Sequence, residues 1–164
     1  MRDAAFAAGI GSWSGAVAGY LGGPKAFHVW SHDDWKRFER NRKLPIWVAG
    51  ESGEDEGWEC LKALRKLGVP KNVPVVVDME TRVDISYLDN WGEILRWGGY
   101  RPWVYGSAST VFGNPPLNGY WVADFKGERP FLYDHDFVRA TQWAQGENFD
   151  SSAIKRISYG RLWR

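Results

Sequence analysis

The chain has 164 residues, 44% of them apolar and 25% charged, with a formal net charge of +1. That balance excludes an intrinsically disordered chain, and the near-zero charge makes no case for a nucleic-acid partner or an acidic membrane surface. The length predicts a single domain over residues 1–164 with room for a substantial core.

Residues 4–24 carry no charge, but they hold six glycines and two serines, and Asp3 sits where a basic leader would be. The stretch is too weakly apolar for a membrane span or a clear signal peptide. The expected setting is therefore the cytoplasm, or delivery by a larger assembly such as a phage particle. The first strand-like run is "AVAGYL" at 16–21, followed by a short helical pattern in "HDDWKRFER". Next comes the run "LPIWVAG" at 44–50. Ser52, with Asp55 three residues on, then marks a helix start. Trp58, Leu61, Leu64 and Leu67 follow at spacing three, and Gly68 with Pro70 ends that helix. Cys60 lies within it and is the only cysteine, so it reads as a buried thiol, and neither an intrachain disulfide nor a cysteine metal site is expected.

"VPVVVDME" at 73–80 is nearly continuous in apolar residues, the mark of a strand covered on both faces. A second helix is predicted from about Asp84, with Ile85, Leu88, Trp91 and Leu95 on one face, to Gly98-Gly99. The remaining runs are "RPWVYGS" (101–107), "GYWVADF" (119–125) and "FVRATQWA" (137–144), separated by loops with at most a turn of helix. Strands alternating with helices predict an α/β fold with a mainly parallel sheet. A full eightfold barrel ordinarily needs more than about 200 residues. The expected form is thus a compact, irregular (β/α) barrel of the TIM-like type with a helix-poor second half.

Residues i and i+2 of a strand share a face, so Asp78 and Glu80 project together from the end of their run. Parallel α/β folds place their sites at that end of their strands. Two close carboxyls cannot both ionise cheaply away from water, and the one with the raised pKa can serve as a general acid. The competing reading is a strand end that meets solvent, with Arg82 pairing one acid. Spacing alone does not choose between them.

The later runs bear on that choice. "PWVYGSAST", "GYWVADF" and "ATQWA" followed by "FDSSAI" come in that order after "VVVDMET". The succession resembles glycoside hydrolase family 25, the lysozyme-type muramidases. It is closer still to the glycoside-hydrolase-like domains of actinobacteria and their phages, where "GYLGG", "HVWS" and "LPIWV" also have counterparts. The resemblance covers roughly residues 16 to 155. It implies a metal-free and cofactor-free site acting on peptidoglycan or a related amino-sugar polymer. Glu80 would be the general acid and Asp78 its partner, while Tyr105 would line the sugar cleft. Asp124 and Gln142 would stand behind or at the rim, and Asp150 matches a late aspartate of the family. Trp121 and Trp143 are candidate stacking surfaces, with core packing the favoured role for either. His28 and His32 do not form a metal helix.

The front end departs from the family, whose first strand ends in a cleft-lining aspartate. Either Asp3 is that residue on a shortened first strand, or the carboxylate is missing. In the second case the barrel would be catalytically inactive and would serve a phage particle or other assembly as a structural or glycan-binding part. Too few strands for standard closure, together with eleven tryptophans, also predict an uncovered edge or face. A protein partner or homo-oligomer should cover it, contacting the segment before Ala16 or the tail from Lys155 to Arg164.

Overall fold

The computed structural model describes residues 1–79, 84–125 and 129–164. Its strands, β1 (Arg2–Asp3), β2 (Val17–Gly22), β3 (Lys43–Val48), β4 (Pro74–Asp78), β5 (Arg101–Ser107), β6 (Tyr120–Ala123), β7 (Val138–Gln145) and β8 (Asp150–Ile154), close a barrel in sequence order. Each pair from β1–β2 to β6–β7 is parallel. The last strand is reversed: β8 runs antiparallel to both β7 and β1, and so completes the ring. The helices are α1 (Ala7–Ile10), α2 (His32–Arg37), α3 (Gly53–Lys66), α4 (Ile85–Trp97), α5 (Ala108–Phe112) and α6 (Arg156–Tyr159). The two long ones both belong to the first two-thirds of the chain.

Alternation along the strands sorts the core into layers. Ala18, Leu44, Ile46, Val76, Trp103, Trp121 and Ala140 fill the barrel. Val75 and Val77 point outward, onto Leu61, Leu64, Leu88 and Trp91 of α3 and α4. A third cluster of Ile10, Trp30, Trp35 and Phe38 packs where α1 and α2 cover β2. Strands apolar on both faces are what such a three-layer arrangement requires.

Ser52 caps α3 by accepting from Asp55 N, and Asp84 caps α4 by accepting from Ser86 N. The buried stripe of α3 is Gly57, Cys60, Leu61 and Leu64. Trp58 is turned outward, 41% exposed, with its ring edge-on to Trp97 of α4. Glu56 fixes the start of α3. Its carboxylate accepts from Trp47 Nε1, Tyr87 Oη and the backbone N–H groups of Gly50, Glu51 and Ser52.

The expectation of an uncovered edge is corrected by this topology. β1 and β8, too short or too polar to show a strand pattern, supply the missing pairs, and the barrel closes. The segments expected to reach a partner instead pack on the chain's own barrel. Trp13 donates through Nε1 to Ala16 O, and the Arg2 guanidinium lies 4.0 Å above its ring. Trp163 exchanges both backbone hydrogen bonds with Lys43. No helix among the described residues is long and apolar enough to cross a membrane.

Candidate active site

Six parallel pairs bring the C-terminal ends of β1 to β7 to one rim. The reversed β8 starts at that rim, so its first residue, Asp150, lies opposite Asp3 in the ladder. A cleft of about 420 Å³ opens there, with Asp3, Asp78, Tyr105, Gln142 and Asp150 in its wall. Tyr20, Ile46, Trp121 and Phe125 also line it. Of the two front-end readings, the shortened first strand is the one observed: Asp3 ends β1 and is buried in the cleft.

Gln142 ties the group together. It is almost wholly buried, its Oε1 accepts from the Tyr105 hydroxyl, and its Nε2 donates to Asp3 Oδ2 at 3.2 Å and to Asp150 Oδ2 at 2.9 Å. One amide thus uses both of its donors on two carboxyls and its acceptor on a phenol. Asp3 Oδ1 is buried with no hydrogen-bond partner among the described residues.

Crowding of acids sets the electrostatics. Burial, and then the charges of Asp150 and Asp78, push the Asp3 carboxyl well above its ordinary range. Asp150 is raised by burial, with the Gly146 N–H pulling against it at 3.2 Å. Tyr105 is pushed up by burial and by the charges of Asp78 and Asp3, so its phenol stays protonated and remains a donor. A cleft wall that holds several carboxyls, one of them with its pKa pushed up by burial and by its neighbours, suits acid–base work on a polar bond.

Among the residues expected from sequence, Asp78, Tyr105, Trp121, Gln142 and Asp150 meet at this cleft. Glu80 lies outside the described residues. Trp121 is 1% exposed, donates through Nε1 to Ser152 Oγ at 3.0 Å and lies 4.8 Å from the Tyr105 ring. It is core packing with one edge on the cleft. Asp124 and Trp143 are not among the lining residues. Asp124 lies past the end of β6 and accepts from the Tyr133 hydroxyl, which raises that phenol's pKa. Trp143 is half-buried beside a register shift where β7 meets β8. Sequence reasoning missed Tyr20 and Phe125. Tyr20 had a signal, since it shares a strand face with Ala16 and Ala18. Phe125 closes the run expected as a strand, but β6 ends at Ala123 and Phe125 stands in the turn beyond it. No group of three or more His, Cys, Asp or Glu among the described residues could hold a metal ion.

A closed barrel with acids at the strand ends defines a large class of α/β proteins. No protein-family model matches this chain, and no curated protein does. Solved structures do. An uncharacterized B. stearothermophilus protein is 20% identical with a TM-score of 0.77, and the match covers 98% of each chain. A family 25 glycosyl hydrolase from Bacillus anthracis is 11% identical with a TM-score of 0.66, covering 95% of this chain and 85% of that one. The modular autolysin LytC from Streptococcus pneumoniae, solved with a synthetic peptidoglycan ligand, is 14% identical with a TM-score of 0.67. That match covers 85% of this chain and 40% of the autolysin. At these identities the chains share a barrel fold, and fold alone does not carry an activity.

Proposed function

We propose that the chain is a glycoside-hydrolase-like domain that binds and cleaves peptidoglycan or a related amino-sugar polymer. The observation that carries this reading is the cluster of Asp3, Asp78 and Asp150 with Tyr105 around one cleft at the strand ends. Glu80, two residues beyond Asp78, is the general acid that protonates the departing glycosidic oxygen. Asp78 is its partner, either orienting the acetamido group or stabilising positive charge at the anomeric carbon. Asp150 and the protonated Tyr105 complete the polar wall, and Gln142 positions them. The barrel shared with a family 25 glycosyl hydrolase and with an autolysin solved with a peptidoglycan ligand supports the substrate class.

The test is clearing of a cell-wall suspension by the purified protein. Wild type should clear it, and Glu80→Gln should lower the rate by roughly 100-fold or more, the range of a general acid. Clearing retained by Glu80→Gln would remove Glu80 from the mechanism. Wild-type binding to walls without clearing would favour the second reading, a glycan-binding barrel. That reading draws on Gln142, which occupies Asp3 and Asp150 together.

A further inference from the structure

The carboxylate cleft does not stop at its own rim. A second hollow of about 360 Å³ continues from it and shares Asp3, Gln145 and Asp150 with it. Gly146 to Phe149, in the turn between β7 and β8, form one bank of this hollow, and Ala4 to Phe6, just after β1, form the other. Phe6 is 50% exposed. Its ring lies 4.4 Å from that of His28 at 33°, and 6.0 Å from that of Phe27 at 86°. Phe27 is 87% exposed.

A phenylalanine in that state adds almost nothing to folding, because its apolar area stays in water. An apolar cluster beside a polar cleft, held on loops at the strand-end rim, marks a binding surface. The geometry points to one continuous trough for a linear amino-sugar polymer. One sugar sits among the carboxyls, and a neighbouring unit lies over Phe6, Phe27 and His28. A pyranose has a C–H-rich face and hydroxyl edges. The rings meet the face, while Gln145, Glu147 and Asn148 along the hollow meet the edges. A sugar polymer is preferred over a protein segment because the apolar cluster is continuous with the acidic cleft, and each further pyranose of a linear glycan again offers a C–H-rich face and hydroxyl edges.

This inference rests on the glycan reading of the cleft, and the experiment separates the two. In a Glu80→Gln background, in which turnover is slow on the time of a titration, soluble glycan fragments of peptidoglycan are titrated calorimetrically at disaccharide and tetrasaccharide length. The tetrasaccharide should bind more tightly. Adding Phe27→Ala, or Phe6→Ala with Phe27→Ala, should weaken the tetrasaccharide by roughly threefold to tenfold, the size of one good aromatic contact. The disaccharide should change by less than about twofold. The exposure of Phe27 means that its truncation leaves the fold intact. If both variants keep the preference for the longer fragment, the trough is wrong and the cleft reading stands. If neither fragment binds even before the phenylalanines are changed, the cleft reading fails and the trough goes with it. Length-independent fragment binding, with Phe27→Ala instead weakening capture of a protein, would also overturn it.

Discussion

Asp3 and Gln142 decide how the cleft responds to pH and to substitution. Asp3 has an ordinary pKa near 3.8 in the unfolded chain and a raised one in the fold. Between those two values the folded state holds a proton that the unfolded state has released. Stability therefore falls as pH rises through that window, and the loss is complete once Asp3 ionises in the fold. Asp3→Asn removes the titration, and an asparagine carbonyl still accepts from Gln142 Nε2. Melting temperatures should then fall less steeply above pH ~4 for the variant than for wild type. Parallel profiles would show that Asp3 titrates the same way folded and unfolded. Gln142→Leu is the harsher change, since it leaves Tyr105, Asp3 and Asp150 without the amide that links them. Each buried polar group left unsatisfied costs about 1–3 kcal/mol. Chemical denaturation should report a loss of roughly 2–5 kcal/mol, and a loss under about 1 kcal/mol would mean that water replaces the amide.

At the scale of elements, α3 is anchored by a side chain rather than by its cap alone. Glu56→Ala strands Trp47 Nε1, the Tyr87 hydroxyl and the N–H groups of Gly50, Glu51 and Ser52. Two of those donors are deep in the core, so the loss should reach about 3 kcal/mol or more. Ser52→Ala, which removes only the cap, should cost about 1 kcal/mol. Equal losses in denaturation experiments would assign the anchoring to the cap. The cap was readable from Ser52 and Asp55, whereas the Glu56 anchor was not, because its partners come from β3, α4 and the intervening loop. The same divide runs through the strands. β2, β3 and β4 announce themselves by apolar runs, since each is buried on both faces, whereas β7 carries Arg139, Trp143 and Gln145 on a half-covered outer face. β1 is two residues, neither of them apolar, and β8 reads Asp-Ser-Ser-Ala-Ile; a pattern that short has no visible period. Of the cleft, Asp78 was legible from its place at a strand end, and Gln142 and Asp150 from the resemblance. Asp3 stayed ambiguous because its strand exists only through pairing with β2 and β8.

For the whole molecule, closure changes what the C-terminal segment is for. The chain after β8 runs back under the barrel, at the end opposite the cleft. Leu162 is buried with the interior cluster, and Trp163 packs beside Trp35 with ring centroids 5.7 Å apart. Lys43 exchanges backbone hydrogen bonds with Trp163 at 2.6 and 3.0 Å, and its ammonium lies 4.7 Å over the indole. That ammonium also donates to the carbonyls of Phe38, Glu39 and Asn41. Burial lowers the Lys43 pKa, and the nearby Glu39 charge pulls against that shift. The tail is thus a lid on the barrel floor that shields a buried cation. Deleting residues 156–164 removes the cover from Leu44 and Trp35 and opens Lys43 to water on one side. Burying one leucine is worth about 1.5–3 kcal/mol, and the indole adds a comparable amount through its larger area. The sum of roughly 3–5 kcal/mol is a large part of the 5–15 kcal/mol that holds an average domain. The truncated chain should melt about 6–20 °C lower, at about 2–4 °C per kcal/mol for this size. Sedimentation of the intact and truncated chains at equal concentration provides the contrast. If truncation instead splits an oligomer while the melting temperature holds, the tail is an intermolecular contact and the floor of the barrel is closed without it.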